Sequence, residues 1–87
     1  MPEENGAAGN LQAIQEENRN LIHLRSLVDR TLMEIRAGRH TLAEAKRVVE
    51  DIRSQALQLF PGKETAFDLI YRPRFQRAIT ETFKLHN

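Results

Sequence analysis

Histidine, serine and carboxylate side chains are the groups in this chain that could support catalysis or metal binding. His23, His40 and His86 lie far apart, and no two have the i, i+4 spacing that holds a metal ion on one helix face. Ser26 and Ser54 lie inside helical patterns and have no partner arrangement for nucleophilic catalysis. The chain also lacks cysteine and a glycine-rich phosphate loop. The sequence therefore predicts no catalytic residue, no metal site and no cofactor, and we do not expect an enzyme.

One histidine could still take part in phosphotransfer. His23 lies on a helical segment with Arg25 two residues behind it, which is compatible with accepting a phosphoryl group. However, Leu24 follows it directly instead of an acid, and the chain has no ATP-binding loop. His23 also lies on the far side of its helix from the apolar stripe, so an ordinary surface histidine is the preferred interpretation.

A cluster of arginines and aromatic residues lies near the end of the chain, within residues 71–77. Guanidinium groups bind phosphates and carboxylates through paired hydrogen bonds, and a helix N-terminus adds affinity for anions. The segment is therefore a candidate patch for nucleic acid, another polyanion or an acidic partner. Its residues are Tyr71, Arg72, Arg74 and Arg77.

The same cluster also has a purely structural interpretation. Its aromatic side chains would pack inward, while Arg72 and Arg77 would pair with Asp68 and Glu81, each four residues away in the sequence. In that case the arginines stabilise the helices and bind no ligand.

Charge is unevenly distributed along the chain. Residues 1–18 hold four glutamates and no base, a net charge of −4, and the rest holds all 13 basic and eight acidic residues, a net charge of +5. This surplus is smaller than a dedicated DNA-binding domain needs, so nucleic acid is the weaker expectation. No apolar run approaches the roughly 18–20 residues of a membrane span, and the acidic start does not resemble a secretory signal. We expect a cytoplasmic protein that does not bind membranes.

The 87 residues form at most one domain. Residues 1–9 have no periodic apolar residue and predict a disordered N-terminal lead, whereas residues 10–87 predict a single helical domain. The first helix should begin at the N-cap Asn10 and end before Gly38. Its apolar stripe consists of Leu11, Ile14, Leu21, Leu24, Val28, Leu32 and Ile35.

The second helix has the clearest start signal in the chain. Thr41-Leu42-Ala43-Glu44 fits a capping box, with Thr41 as the N-cap and Glu44 at the third helical position. The helix should run to about Leu59. Because a short turn joins two amphipathic helices here, they should form an antiparallel hairpin. The stripe of the second helix is Leu42, Ala45, Val48, Val49, Ile52, Ala56, Leu59 and Phe60.

The last third of the chain should fold over the open side of this hairpin. Pro61-Gly62 ends the second helix, and Thr65-Ala66-Phe67-Asp68 predicts a second capping box. Pro73 should then break or kink the C-terminal helix, which would begin at this proline and extend to Leu85. The predicted fold is all-α: a long antiparallel helical hairpin with a kinked or broken C-terminal helix packed on it, a three- to four-helix bundle.

The first helix is also the candidate interaction surface, because it is long for a globular protein. Read as heptad a and d positions, its stripe contains Asn18 and Arg25, and polar residues at a positions can set register and oligomeric state. The predicted partner or oligomer interface is Ile14, Asn18, Leu21, Arg25, Val28 and Leu32. Alternatively, Asn18 is simply exposed and Arg25 extends from the stripe into solvent.

These observations favour a non-enzymatic helical protein-interaction module that associates with itself or binds a partner helix. The sequence leaves monomer and homodimer equally open. Binding of nucleic acid or another polyanion through the arginine cluster is the alternative function.

Overall fold

Four helices make up the fold, as seen in a computed structural model that describes the backbone of residues 2–85 and the side chains of residues 11–85. The helices are α1 (Pro2–Arg36), α2 (Leu42–Leu59), α3 (Glu64–Ile70) and α4 (Arg72–Phe83). α1, α2 and α4 contact one another, and α3 contacts α2 and α4. Residues 2–85 contain no strand. The predicted all-α hairpin with a broken C-terminal helix packed on it is therefore confirmed. Met1, His86 and Asn87 lie outside the described residues.

α1 begins earlier than the sequence predicts, because the helix includes residues 2–9, the segment predicted as a disordered lead. Proline is favourable in the first turn of a helix, and Ala7 and Ala8 have the highest helix propensity of any residue type. The side chain of the predicted N-cap, Asn10, lies outside the described residues. The division of the chain into a lead and one helical domain stays a prediction.

The turn after α1 closes through two backbone hydrogen bonds. The N–H of Gly38 donates to the carbonyl of Ile35 at 3.0 Å, and the N–H of Arg39 donates to the carbonyl of Glu34 at 3.1 Å. This pair of bonds is the Schellman motif, which needs a left-handed residue directly after the helix. Gly38 provides it with a φ of 74°, as its position in the sequence predicts.

The first predicted capping box is confirmed and the second is wrong. The Thr41 hydroxyl accepts a hydrogen bond from the Glu44 N–H at 3.1 Å, and the Glu44 carboxylate accepts one from the Thr41 N–H at 2.8 Å. At α3, however, the helix begins at Glu64, and the N-cap position is Lys63, which makes no side-chain cap bond. Thr65 is already inside the helix. Asp68 inside α3 instead accepts hydrogen bonds from Arg53 of α2 and Arg72 of α4, which hold the short helix in place.

The core lies between α1, α2 and α4. Phe75 on α4 is wholly buried and fills the open side of the hairpin, as expected from the aromatic residues of the last third. Alanines at three core positions let the helix backbones approach closely. The buried apolar residues are Leu24, Val28, Ile35, Ala45, Val49, Ile52, Ala56, Phe67, Phe75, Ala78 and Ile79.

One residue, Tyr71, separates α3 from α4. The break arises because Pro73 has no N–H to donate to the carbonyl four residues earlier and its ring would clash there. The chain nevertheless continues in nearly helical form, since Tyr71 has φ −99° and ψ −37°. The Tyr71 N–H donates to the carbonyl of Phe67 at 2.9 Å, and the Phe75 N–H donates to that of Tyr71 at 3.2 Å. α4 begins at Arg72, so Pro73 occupies its second position rather than the predicted first.

Candidate interaction surface

Within residues 2–85, no other helix lies beside the first half of α1. α1 has 35 residues and α2 has 18, which correspond to about 52 Å and about 27 Å at 1.5 Å per residue. α1 therefore extends well past the bundle, and the molecule measures 60 × 22 × 15 Å. All side chains of residues 11–19 are exposed.

Apolar side chains on this projecting half face solvent. Leu11 is 60% exposed and Ile14 is 51% exposed. Leu21 is half-buried, whereas Asn18 and Arg25 are exposed. Spacings of three and four residues place these side chains in one row along the helix. We call this row the α1 seam; its residues are Leu11, Ile14, Asn18, Leu21 and Arg25.

Two of the predicted interface residues are covered by the chain itself. Val28 is 0% exposed and belongs to the core, and Leu32 packs partly buried against that core. Because a second chain cannot reach Val28, the candidate surface is reduced to the α1 seam. Periodicity in the sequence identifies an apolar stripe, but it does not show which part of the stripe the rest of the chain covers.

An apolar groove of about 310 Å³ lies beside the seam, between α1, the end of α2 and α3. Leu21 lines the groove from α1, Leu57 and Phe60 line it from the end of α2, and Ile70 lines it from α3. Ile70 is 57% exposed. The sequence does not reveal this groove, because Leu57 lies outside the predicted α2 stripe and the position of Ile70 depends on how α3 packs. Leu21 belongs to both features, so the groove adjoins the seam.

Charged side chains lie in and beside the seam in two separate stretches of α1. Glu16 and Glu17 are exposed on the first, and Arg19 and Arg25 are exposed on the second. None of these four has an oppositely charged partner within 4.0 Å among the side chains of residues 11–85. Their charges are therefore available to an approaching molecule.

The predicted arginine patch is divided by ion pairs within the chain. Arg72 donates to Glu50 at 2.8 Å and to Asp68 at 3.1 Å, so the predicted Arg72–Asp68 pair is confirmed. Arg74 donates to Asp29 on α1 at 3.3 Å. Two of the three arginines, Arg72 and Arg74, therefore bind carboxylates that belong to other helices.

Arg77 does not form the predicted pair with Glu81, whose carboxylate instead accepts a hydrogen bond from Arg36 at 2.8 Å. Arg77 lines a groove of about 720 Å³ together with Lys46 from α2. Sequence analysis missed Lys46, because its proximity to Arg77 depends on how α2 packs against α4. The fourth residue of the predicted patch, Tyr71, packs against Phe67 with its ring centroid 5.6 Å away.

The carboxylate of Asp68 connects several of these ion pairs. Hydrogen bonds from Arg53 and then from Arg72 lower the pKa of Asp68 below its usual value. The hydrogen bond from Arg72 likewise lowers the pKa of Glu50. Favourable bonds to the ionised form are the cause in both cases. These ion pairs therefore connect α2, α3 and α4, and their arginines are already paired with carboxylates of the chain.

Comparison with known proteins gives no match to a family model, to a curated protein or to a solved structure. Among the side chains of residues 11–85, no group of three histidines or carboxylates could hold a metal ion. None of the helices described combines the length and the apolar composition that crossing a bilayer requires. The α1 seam and the two grooves are the candidate binding surfaces of the described residues.

Proposed function

We propose that this protein is a helical protein-interaction module that associates through the α1 seam, either with a second copy of itself or with a helix of a partner protein. The observation that carries the proposal is the exposure of Leu11 and Ile14 on a helix whose other half is buried in the bundle. An amphipathic helix typically lays its apolar face against a helix or groove of its partner. Contiguous exposed apolar surface of this kind marks interaction sites on folded proteins.

The apolar groove beside the seam supports the same proposal. It adjoins the seam at Leu21 and is lined by the large side chains of Leu57 and Phe60. Concave apolar regions bind the aromatic or aliphatic side chains that contribute most of the energy of an interface. A helix docked on the seam would therefore have space beside it for one such side chain.

The proposal is tested by measuring absolute mass with light scattering over a range of concentrations. The monomer mass is 10.1 kDa, and we expect the wild-type protein to exceed it. Ile14→Asp should shift the mass towards the monomer, because a carboxylate cannot be buried without a partner. Gln12→Asp is the matched control, since it adds the same charge on the same exposed half of α1 but off the seam.

One outcome would exclude the α1 seam as the interaction surface, and another would exclude self-association. If Ile14→Asp and the wild type have the same mass above that of a monomer, the seam is not the interaction surface. If the wild type is monomeric at every concentration, self-association is excluded. In that case the proposal requires a partner helix whose binding is abolished by Ile14→Asp and preserved in Gln12→Asp.

A second candidate function is the binding of nucleic acid or another polyanion. It is supported by Arg77 and Lys46, which line one groove from two different helices. Arg72 and Arg74 contribute less, because both already hold carboxylates of the chain. The test is the affinity for a fluorescent single-stranded oligonucleotide, which should fall steeply as salt increases.

If the protein binds a polyanion, replacing both Lys46 and Arg77 with glutamine should weaken oligonucleotide binding. Arg39→Gln serves as the control, because Arg39 is exposed and does not line that groove. An affinity that does not change with salt, or no binding even at low salt, would exclude a polyanion as the ligand.

A further inference from the structure

We infer that the exposed first half of α1 binds in the α2–α4 groove of a second copy, so that the protein assembles head to tail. The α2–α4 groove is the groove of about 720 Å³ that Lys46 and Arg77 line. This inference rests on the function proposed above and specifies what the seam binds. It follows from the charges of the groove, from the acidic start of α1 and from the position of α4 beside the rest of α1.

The two basic residues of the groove lack the ion pairs that their sequence positions suggest. Lys46 and Arg77 each precede a glutamate by four residues, which is the spacing of an ion pair on one helix. These glutamates, Glu50 and Glu81, instead accept hydrogen bonds from other arginines, both at 2.8 Å. Neither basic residue has an ion-pair partner among the side chains of residues 11–85. The groove therefore presents positive charge from two helices to an acidic ligand.

The α2–α4 groove also has an apolar part. Pro73, Ile79 and Leu85 line it together with the two basic residues, and Leu85 is 38% exposed. A helix that matches this lining carries apolar side chains on one face and a carboxylate beside them.

The first half of α1 has this combination of side chains. Leu11 is 60% exposed and Ile14 is 51% exposed, and the exposed Glu17 lies beside them at the heptad g position. Residues 1–18 contain four glutamates and no base. No other helix within residues 2–85 lies beside this half of α1, so it can enter the groove of a second copy.

Pairing of α1 with α1 is less favourable than pairing of α1 with the groove. α4 lies along the second half of α1, where Arg74 donates to Asp29, and it occupies the space that a second α1 would need there. Only the first halves of α1 could then pair, which would place two acidic segments against each other. Because the seam and the groove are different surfaces, their contact is heterologous and generates chains or closed rings.

A mixing experiment tests the head-to-tail arrangement. Ile14→Asp disrupts the apolar surface of α1 and leaves the groove intact, whereas Lys46→Glu combined with Arg77→Glu reverses the charges of the groove and leaves α1 intact. Each variant alone should be monomeric where the wild type assembles, because its contact is weakened by about tenfold or more. An equimolar mixture should form a species of twice the monomer mass of 10.1 kDa and no larger one, because it combines one intact α1 surface with one intact groove.

Mass is measured by sedimentation equilibrium at low ionic strength, where the screening of charges is weak. The matched control is Arg30→Glu combined with Arg39→Glu, which makes the same change in net charge at two exposed residues outside the groove. This control should assemble like the wild type. Circular dichroism establishes that each variant is folded. If the charge-reversed variant does not fold, Lys46→Gln combined with Arg77→Gln replaces it and should also pair with Ile14→Asp in the mixture.

The outcomes separate this inference from the proposed function. An assembly that dissociates on Ile14→Asp but keeps its mass when the groove charges are reversed overturns the groove as the binding site and leaves the interaction module standing. Two folded, monomeric variants whose mixture stays monomeric overturn the head-to-tail arrangement.

A wild type that is monomeric at all concentrations overturns the second copy as the ligand of the groove. If such a monomer binds an oligonucleotide through Lys46 and Arg77, the groove is a site for nucleic acid instead. An assembly that is insensitive to Ile14→Asp overturns both the head-to-tail contact and the seam as the interaction surface.

Discussion

Arg53 on α2 and Asp68 on α3 form a two-pronged ion pair. Nε of Arg53 donates to Oδ1 of Asp68 at 2.9 Å, and Nη2 donates to Oδ2 at 3.1 Å. Arg72 at the start of α4 donates to the same Oδ1 at 3.1 Å. The planar guanidinium matches the carboxylate geometry well. One acidic side chain therefore connects three helices and holds α3, which has only seven residues and no side-chain cap.

We expect this carboxylate to make the fold sensitive to acid. The pKa of Asp68 is lowered in the folded protein by Arg53 and Arg72. A carboxyl with a lowered folded pKa contributes stability above its unfolded pKa, near 4, and this stability is lost as pH falls through the folded pKa. Thermal unfolding from pH 7 to pH 2 should therefore show a smaller acid-induced loss of stability in Asp68→Asn than in the wild type.

The control for this pH series is Asp51→Asn. Asp51 is an exposed carboxylate on α2 and has no ion-pair partner among the side chains of residues 11–85. Its variant should keep the acid sensitivity of the wild type. If Asp68→Asn has that same sensitivity, the ion pair with Arg53 does not cause the dependence on pH.

The two threonines that resemble helix caps should respond differently to alanine. Thr41→Ala removes the hydroxyl that accepts the Glu44 N–H, and it should lower the free energy of unfolding by about 1 kcal/mol. Thr65→Ala should change it by less than about 0.5 kcal/mol, since Thr65 is an exposed residue inside α3. Urea unfolding measures both values, and equal losses would show that Thr65 also acts as a cap.

The core of the bundle should tolerate truncation poorly. Ile52 is almost wholly buried on α2, and Ile52→Ala should lower the free energy of unfolding by about 2–5 kcal/mol through lost burial and a residual cavity. Met33 is 69% exposed on α1, so Met33→Ala should cost less than about 0.5 kcal/mol. Urea unfolding measures both. A small loss in Ile52→Ala would mean that the helices close around the vacated space.

The end of α4 offers a stabilising substitution. Lys84 has a left-handed backbone with φ 55°, which is unfavourable for a residue with a Cβ. Lys84→Gly should raise the free energy of unfolding by about 0.5 kcal/mol, because glycine adopts this conformation without strain. Gly38→Ala should have the opposite effect at φ 74°. Nothing lies within 4 Å of an added Cβ there. The lower free energy of unfolding of Gly38→Ala would therefore come from the backbone conformation alone. A lower free energy of unfolding in Lys84→Gly than in the wild type would show that the left-handed backbone of Lys84 carries no strain.

Local signals in the sequence predicted that the helices exist and where α2 begins, but they did not predict the start of α1 or α3 or the way the helices pack. The spacing from Thr41 to Glu44 predicted the α2 cap, and the i, i+4 spacing predicted the Asp68–Arg72 pair, because both depend on one short segment. The partner of Asp68 on α2, Arg53, is 15 residues away in the sequence. Such a pair depends on the docking of α3 against α2, which periodicity does not determine.

Periodicity also could not predict which part of the apolar stripe on α1 is exposed. Ile14 and Val28 occupy equivalent positions of one heptad pattern, yet Ile14 is exposed and Val28 is buried. The difference arises because α2 and α4 are too short to cover the whole of α1. Helix lengths were predicted only approximately, so the sequence could not show where the covered part of the stripe ends.

The shape of the molecule has a consequence for its rotation in solution. Dimensions of 60 × 22 × 15 Å describe a rod whose long axis is set by α1. A rod spins about its axis faster than it turns end over end. Peptide N–H bonds in a helix lie nearly parallel to the helix axis, so the α1 amides follow almost entirely the slower rotation. Their nuclear spin relaxation therefore reports the length of the particle. A second molecule that lengthens the particle would change it more than the relaxation of amides inclined to the long axis.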